Sequence, residues 1–270
     1  MTEQAILGTT LRSAWALPLF LVRTAWADQP YDALTEYVSG LADAHLLELA
    51  GDPVAVLDGI DPAAGPVGLL PGLVAALRRS GGAHPVPEVL SLLTAAPGDV
   101  ASLPPVPGVR TDVGETGWGV LVRDPASREA VCLTARQAGD VLRWRARGVV
   151  DCPVAPQPHP PAAALAELGR AVVEAAELIE RSSATGGGAT GVVDVHGHVT
   201  RLPAGLPSRV LELVDRIDRV EAIVSVALAR PGSGVDPAGR EPVLRRLVAA
   251  LDGARRAAVS AAGEGALRER

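Results

Sequence analysis

The sequence contains no lysine and no asparagine, and phenylalanine and methionine occur once each. All 25 basic side chains are therefore arginine. Lys, Asn and Phe share AT-rich codons, so their joint scarcity reads as the codon usage of a GC-rich genome rather than as selection against a modifiable amine. Aromatic residues make up only 3% of the 270 positions, which leaves no series of rings on which nucleic-acid bases could stack. A basic excess is missing as well: 31 acidic residues against 25 basic ones give a net charge of −6, whereas phosphate-backbone binding needs clustered cations that displace counterions. Only "LRWRARG", residues 142–148, is locally basic, and no nucleic-acid partner is expected.

Cysteine is equally sparse. Cys132 and Cys152 belong to no C-x-x-C or Cys/His ligand spacing, so they are expected to be buried, reduced and inert. A single disulfide is the alternative if the protein is exported. Export raises the question of "SAWALPLFLV" (13–22), an apolar run after Arg12 that leads to "AWA" and imitates a secretory signal within residues 1–27. Glu3 and Arg23 sit in the wrong places for that reading, and the run is too short for a membrane span, which needs about 20 residues. Trp15, Leu19, Val22 and Trp26 instead fall on one helical stripe, as in a core helix. A cytoplasmic protein without a membrane partner is expected.

What the chain does contain is 48% hydrophobic residues and enough length for a core without disulfide or metal staples. The first third predicts helices over about 11–27, about 30–50 and "VGLLPGLVAALRRSGG", whose glycine pair suits a helix end. "HPVPEVLSLL" fits a short helix or a buried strand. "PGDVASLPPVPGV" reads as loop, because dense proline removes backbone donors. "GWGVLVRD" and "EAVCLTA", separated by "PASR", predict a β-hairpin, to which "VLRWRARGVV" adds a third strand. "DCPVAPQPHPPAA" then serves as a stiff connector. Helices follow over about 161–183, 207–230 and 239–262. The fold expected is α+β, predominantly helical, with a small central antiparallel β region and a C-terminal helical bundle containing one β-hairpin. Its lobes would be residues 1–154 and 155–270, with a single packed domain as the alternative.

The stretch "GVVDVHGHVTRLP" (191–203) carries the most pointed chemistry. In an extended strand Asp194, His196 and His198 project from one face, and two imidazoles with a carboxylate can hold a metal that activates water. "DVHGHV" also resembles the first-strand motif of the amidohydrolase superfamily, which implies a barrel hydrolase with further ligands on later strands. The sequence after His198 contains no histidine, so that pattern is not completed. The simpler reading is the hairpin just mentioned, two alternating runs joined at His196-Gly197. "SSATGGGATG" lacks the closing Lys-Ser/Thr of a P-loop and reads as a link. Ser102 and Ser182 lack a nucleophile elbow. The pairs Glu174/Glu177 and Asp215/Asp218 fall on surface helix positions. No catalytic residue and no cofactor is assigned.

The segment from "LPAGLPSRVLELVDRIDRVEAIV" through "GREPVLRRLVAALDGARRAAVSAA", with "LRRSGG", "APGDVASLP" and "LRWRA" before it, resembles a group of uncharacterised proteins from GC-rich actinobacteria. That resemblance implies a bacterial cytoplasmic origin and brings no activity with it. Three functions are consistent with the residues. The first is a non-enzymatic interaction or regulatory protein, with a protein partner or self-association. The second is a metal-dependent hydrolase using Asp194, His196 and His198. The third is a small-ligand binder between the lobes, with Trp118 and Trp144 as a wall.

Overall fold

A computed structural model describes residues 14–95, 103–154, 156–183, 200–229 and 237–270. Helix accounts for 56% and strand for 20%, so helix predominates as expected around one sheet. That sheet has five strands, β1 (Ala44–Gly51), β2 (Leu90–Thr94), β3 (Trp118–Asp124), β4 (Glu129–Ala138) and β5 (Val141–Val150), in the order β1-β5-β4-β3-β2. The expected hairpin is β3–β4, turned by Pro125–Arg128, and β5 follows through a tight turn in which Gly139 takes a φ of 62°. These three strands and β2 are antiparallel.

Two expectations are corrected. The sheet is mixed rather than antiparallel, because β1 joins the edge of β5 in parallel, from Ala44 opposite Val141 to Gly51 opposite Gly148. The helix expected over about 30–50 therefore stops early: α2 spans Tyr31–Ser39, and "AHLLELAG" is strand. Leu47 lies opposite Trp144 and Leu49 opposite Ala146, so the strand places both on the core side while β5 satisfies its backbone groups. The prolines of 104–107, read as loop, also lead directly into α5 (Pro107–Thr116), where Pro107 occupies the first turn and loses no intrahelical bond.

Alternation divides the sheet into two faces. The inner face carries Leu90, Leu92, Trp118, Val120, Val122, Val131, Leu133, Leu142, Trp144 and Ala146, all in one hydrophobic cluster that runs from Ala14 to Ala266. Over it lie α1 (Leu17–Trp26), α3 (Leu70–Ser80) and the long C-terminal helix α8 (Pro237–Glu269). All ten residues of α1 are buried, and Trp15 is buried just ahead of them, so the apolar N-terminal run is a core helix in the folded chain. Two of its polar side chains reach across to other elements: the Trp26 indole donates to the Leu77 carbonyl at 2.7 Å, and Arg23 pairs with Glu269 near the end of α8 at 2.6 Å. "HPVPEVLSLL" becomes both of the elements it could have been, a single turn α4 (Val86–Val89) running into β2.

The outer face is covered only in part. Val109 and Val113 of α5 pack with Leu93, Leu121, Ala130, Cys132, Val149 and Cys152 in a second, smaller cluster. Both cysteines are free and buried, and burial pushes both thiols up, which disfavours the reactive thiolate. In the C-terminal part, α6 (Pro161–Ser183) and α7 (Ser208–Ala229) pack with α8 as three helices. The hairpin read at 191–203 lies outside the described residues apart from 200–203, which are irregular, and Thr200 is fastened to Asp218 of α7 by two hydrogen bonds.

Candidate functional site

Strand β5 sends Arg143, Arg145 and Arg147 to the outer face and Leu142, Trp144 and Ala146 to the core. This alternation gives "LRWRARG" its meaning, since the basic stretch is one edge of a built surface. Across the ladder, Arg147 lies opposite Cys132, Arg145 opposite Thr134 and Arg143 opposite Arg136, while β1 places Glu48 beside Arg145 and Leu46 beside Arg143.

Helix α5 delivers the acid that organises one end of this surface. Its Asp112, only 2% exposed, accepts from Arg145 Nη1 at 2.8 Å and from Arg147 Nε at 2.6 Å. Arg145 also reaches Glu48 at 3.2 Å and Glu115 at 3.7 Å. The Asp112 bonds, against a smaller opposing effect of desolvation, hold both guanidinium groups above their ordinary pKa, so both stay charged. Gly108 lets Arg147 lie flat on the helix, because a Cβ there would meet the guanidinium at 2.8 Å. Gly117, at a φ of 81°, ends α5 and turns the chain into β3.

Past the end of α5 the face dips into a shallow, open concavity lined by the acids Glu48, Asp112 and Glu115 as well as by Thr134, Arg136, Arg143 and Arg145. The three acids at this end, Asp112, Glu48 and Glu115, all point to Arg145, and Asp112 reaches Arg147 as well. Arg136 and Arg143 are exposed, face each other across β4 and β5, and make no hydrogen bond or ion pair among the described residues. Opposed like charges destabilise a strand pair, so this juxtaposition carries a cost that an anion would relieve. Leu46, 52% exposed, lies against Arg143 and adds an apolar contact.

The residues singled out from sequence fare differently. Asp194, His196 and His198 lie outside the described residues, and no group of three or more metal-ligating side chains occurs among the described ones. Ser102 also lies outside them. Asp215 pairs with Arg219 on the exposed surface of α7, Asp218 holds Thr200 and Glu174 reaches Arg246 of α8, so each of these acids has a structural partner. Trp118 and Trp144 are buried in the core, and Trp144 also borders the concavity beside Arg143 and Arg145. Their rings meet edge to face at 6.4 Å, and their indole N–H groups donate to the Ala135 carbonyl and to His45 Nδ1.

Sequence reading missed Asp112 and Arg136. Arg136 could have been found by extending the β4–β5 pairing through its Gly139-Asp140 turn. It also missed a buried ionic knot in the helices: Arg255, fully buried, lies 2.9 Å from Asp252 and 3.0 Å from Glu221, with its guanidinium carbon 6.0 Å from the Trp15 ring centre. Burial works against the Arg255 cation, but the two carboxylates outweigh it and keep it charged. Asp252 is pushed up by burial, which Arg255 only partly offsets.

A family model for the C-terminal domain of Rv1486c-like proteins, an uncharacterised mycobacterial family, matches residues 162–259. This is consistent with the actinobacterial resemblance and brings no activity with it. The match covers α6, α7 and most of α8, and leaves the sheet and its arginines outside. No curated protein and no solved structure matches the chain.

Proposed function

We propose that this chain is a non-enzymatic interaction or regulatory protein that docks an acidic partner on the outer face of its sheet. The observation that carries the reading is the Arg136–Arg143 pair, exposed and uncompensated among the described residues, beside the exposed Leu46. Two like charges held opposite one another weaken the fold locally, and a surface that keeps them gains from a partner that supplies the negative charge. The neighbouring acids make their ion pairs with Arg145 and Arg147, and among the described residues none lies within ion-pair distance of Arg136 or Arg143. Its place of action in this reading is the cytoplasm, where the free, buried Cys132 and Cys152 stay reduced. Among the described residues no helix is long and apolar enough to cross a membrane.

The test is affinity capture with the wild-type chain and the R136E/R143E variant, analysed by mass spectrometry at low and high salt. An acidic protein held by the wild type, released by salt and absent with the variant is the expected result. Recovery of the same proteins by both chains would remove this surface from the function.

A further inference from the structure

The concavity beside Arg136 and Arg143 is small and its charge is specific, which narrows the chemistry of what docks there; the inference rests on the docking reading above. We propose that the Arg136–Arg143 pair is a binding site for a single phosphate monoester group. Three features of the site lead to it.

The first is charge balance. Two guanidinium groups lack a counterion among the described residues, and a phosphate monoester carries about −1.5 to −2 at pH 7, where a carboxylate carries one charge. One dianion neutralises the pair, and each planar fork of N–H donors can engage two of its oxygens.

The second is the setting of the pair. Register places Arg136 and Arg143 directly opposite one another on adjacent strands, which lie about 4.8 Å apart. Their forks can therefore converge on one tetrahedral group. Strands joined by a tight turn hold this spacing more firmly than a loop would.

The third is the wall of the site. Glu48, Asp112 and Glu115, all held by Arg145, line the other end of the same concavity and repel a negative group that extends past Arg136 and Arg143. An extended polyanion such as nucleic acid would meet these acids, whereas a compact dianion ends short of them. The concavity is shallow and open to solvent, so a phosphate can enter it while the small organic group or side chain that bears it stays outside.

The same phosphate could arrive on a small metabolite or on a phosphorylated side chain of a partner protein. Calorimetric titration of the full chain at low salt separates the two. The probes are inorganic phosphate, phenyl phosphate, a peptide with one phosphoserine among uncharged residues, and the same peptide with glutamate at that position. The phosphate probes are expected to bind, and the phosphopeptide to bind about tenfold or more tightly than its glutamate counterpart. R136Q and R143Q should each weaken phosphate binding by about tenfold, the double variant should abolish it, and R136K/R143K should keep part of it. R219Q, on an exposed face of α7, should bind as the wild type does. The tighter of phenyl phosphate and phosphopeptide identifies the source. Undetectable binding of every phosphate probe, or equal binding by the double glutamine variant, would overturn the site. Equal binding of the glutamate and phosphoserine peptides would overturn the phosphate specificity while leaving acidic-partner docking in place.

Discussion

At the scale of single residues, charge is handled in two opposite ways. On the outer sheet face Asp112 is buried but shared by two arginines, so each of its oxygens has a donor. In the helical layer the arithmetic is reversed, because one buried cation, Arg255, lies against two buried carboxylates, Asp252 and Glu221. Removing one member of a buried ionic group leaves its partners uncompensated, which costs more than the group contributes when intact. The Arg255→Met substitution should therefore destabilise the fold by about 3–5 kcal/mol at neutral pH, measured by urea unfolding. The loss should shrink as the solution is acidified. Asp252 has a folded pKa raised by burial above its ordinary 3.8, so its stabilising contribution is complete below that value and is lost as pH rises through the elevated one. Without Arg255 that rise is larger and the pH dependence steeper. A stability difference between wild type and variant that stays constant from about pH 4 to pH 8 would show that Asp252 titrates alike in both.

Among the secondary-structure elements, the least conventional is the parallel seam between β1 and β5. At its end the two backbones nearly touch: Asp52 N–H donates to the Gly148 carbonyl at 2.9 Å, and a Cβ on Gly148 would collide with the Asp52 carbonyl oxygen. Gly148→Ala is expected to cost about 1–3 kcal/mol and to speed amide hydrogen exchange at Leu47 and Leu49 selectively, leaving the β3–β4 hairpin protected. Unchanged exchange at those two residues would mean that the seam tolerates the extra carbon.

The same seam explains where sequence reading succeeded and where it failed. The hairpin of β3 and β4 was legible because both strands, their turn and their alternating pattern lie within one short window. Helices α6 and α7 were legible for the same local reason. Strand β1 was not: "AHLLELA" is made of good helix formers, and its conformation is set by β5, which lies far along the chain. Half of the arginine surface was legible as "LRWRARG". Asp112 was not, because a lone acid in a short helix with Pro107 at its start gives no sign of which strand it will meet.

At the scale of the molecule, one continuous core joins the sheet to the C-terminal helices. Gly263 of α8 shows how tight the contact is, since a Cβ there would lie 2.6 Å from Val86 and 3.2 Å from the Trp26 ring. The alanines Ala254, Ala258, Ala262 and Ala266, all buried, let the helix approach closely along its length. The full chain should accordingly unfold in a single transition with equal calorimetric and van't Hoff enthalpies. Residues 1–154 alone should bind a hydrophobic dye and show no sharp transition, because the inner face has lost the part of its cover that α8 supplies. Two separate calorimetric transitions in the full chain would instead establish two independently stable lobes.

The parallel seam has one more effect, on the order of events as the protein is made. Ala44 must wait for Val141, so β1 leaves the ribosome with neither edge paired and stays so while the chain up to β5 is synthesised, on the order of 5–20 s at typical elongation rates. During that interval "AHLLELA" has no strand partner, and its backbone groups are satisfied in the sheet only once β5 is available beside β4. Pairing of β1 is therefore the last step of sheet formation, at the edge that carries Glu48 and Leu46 to the arginines.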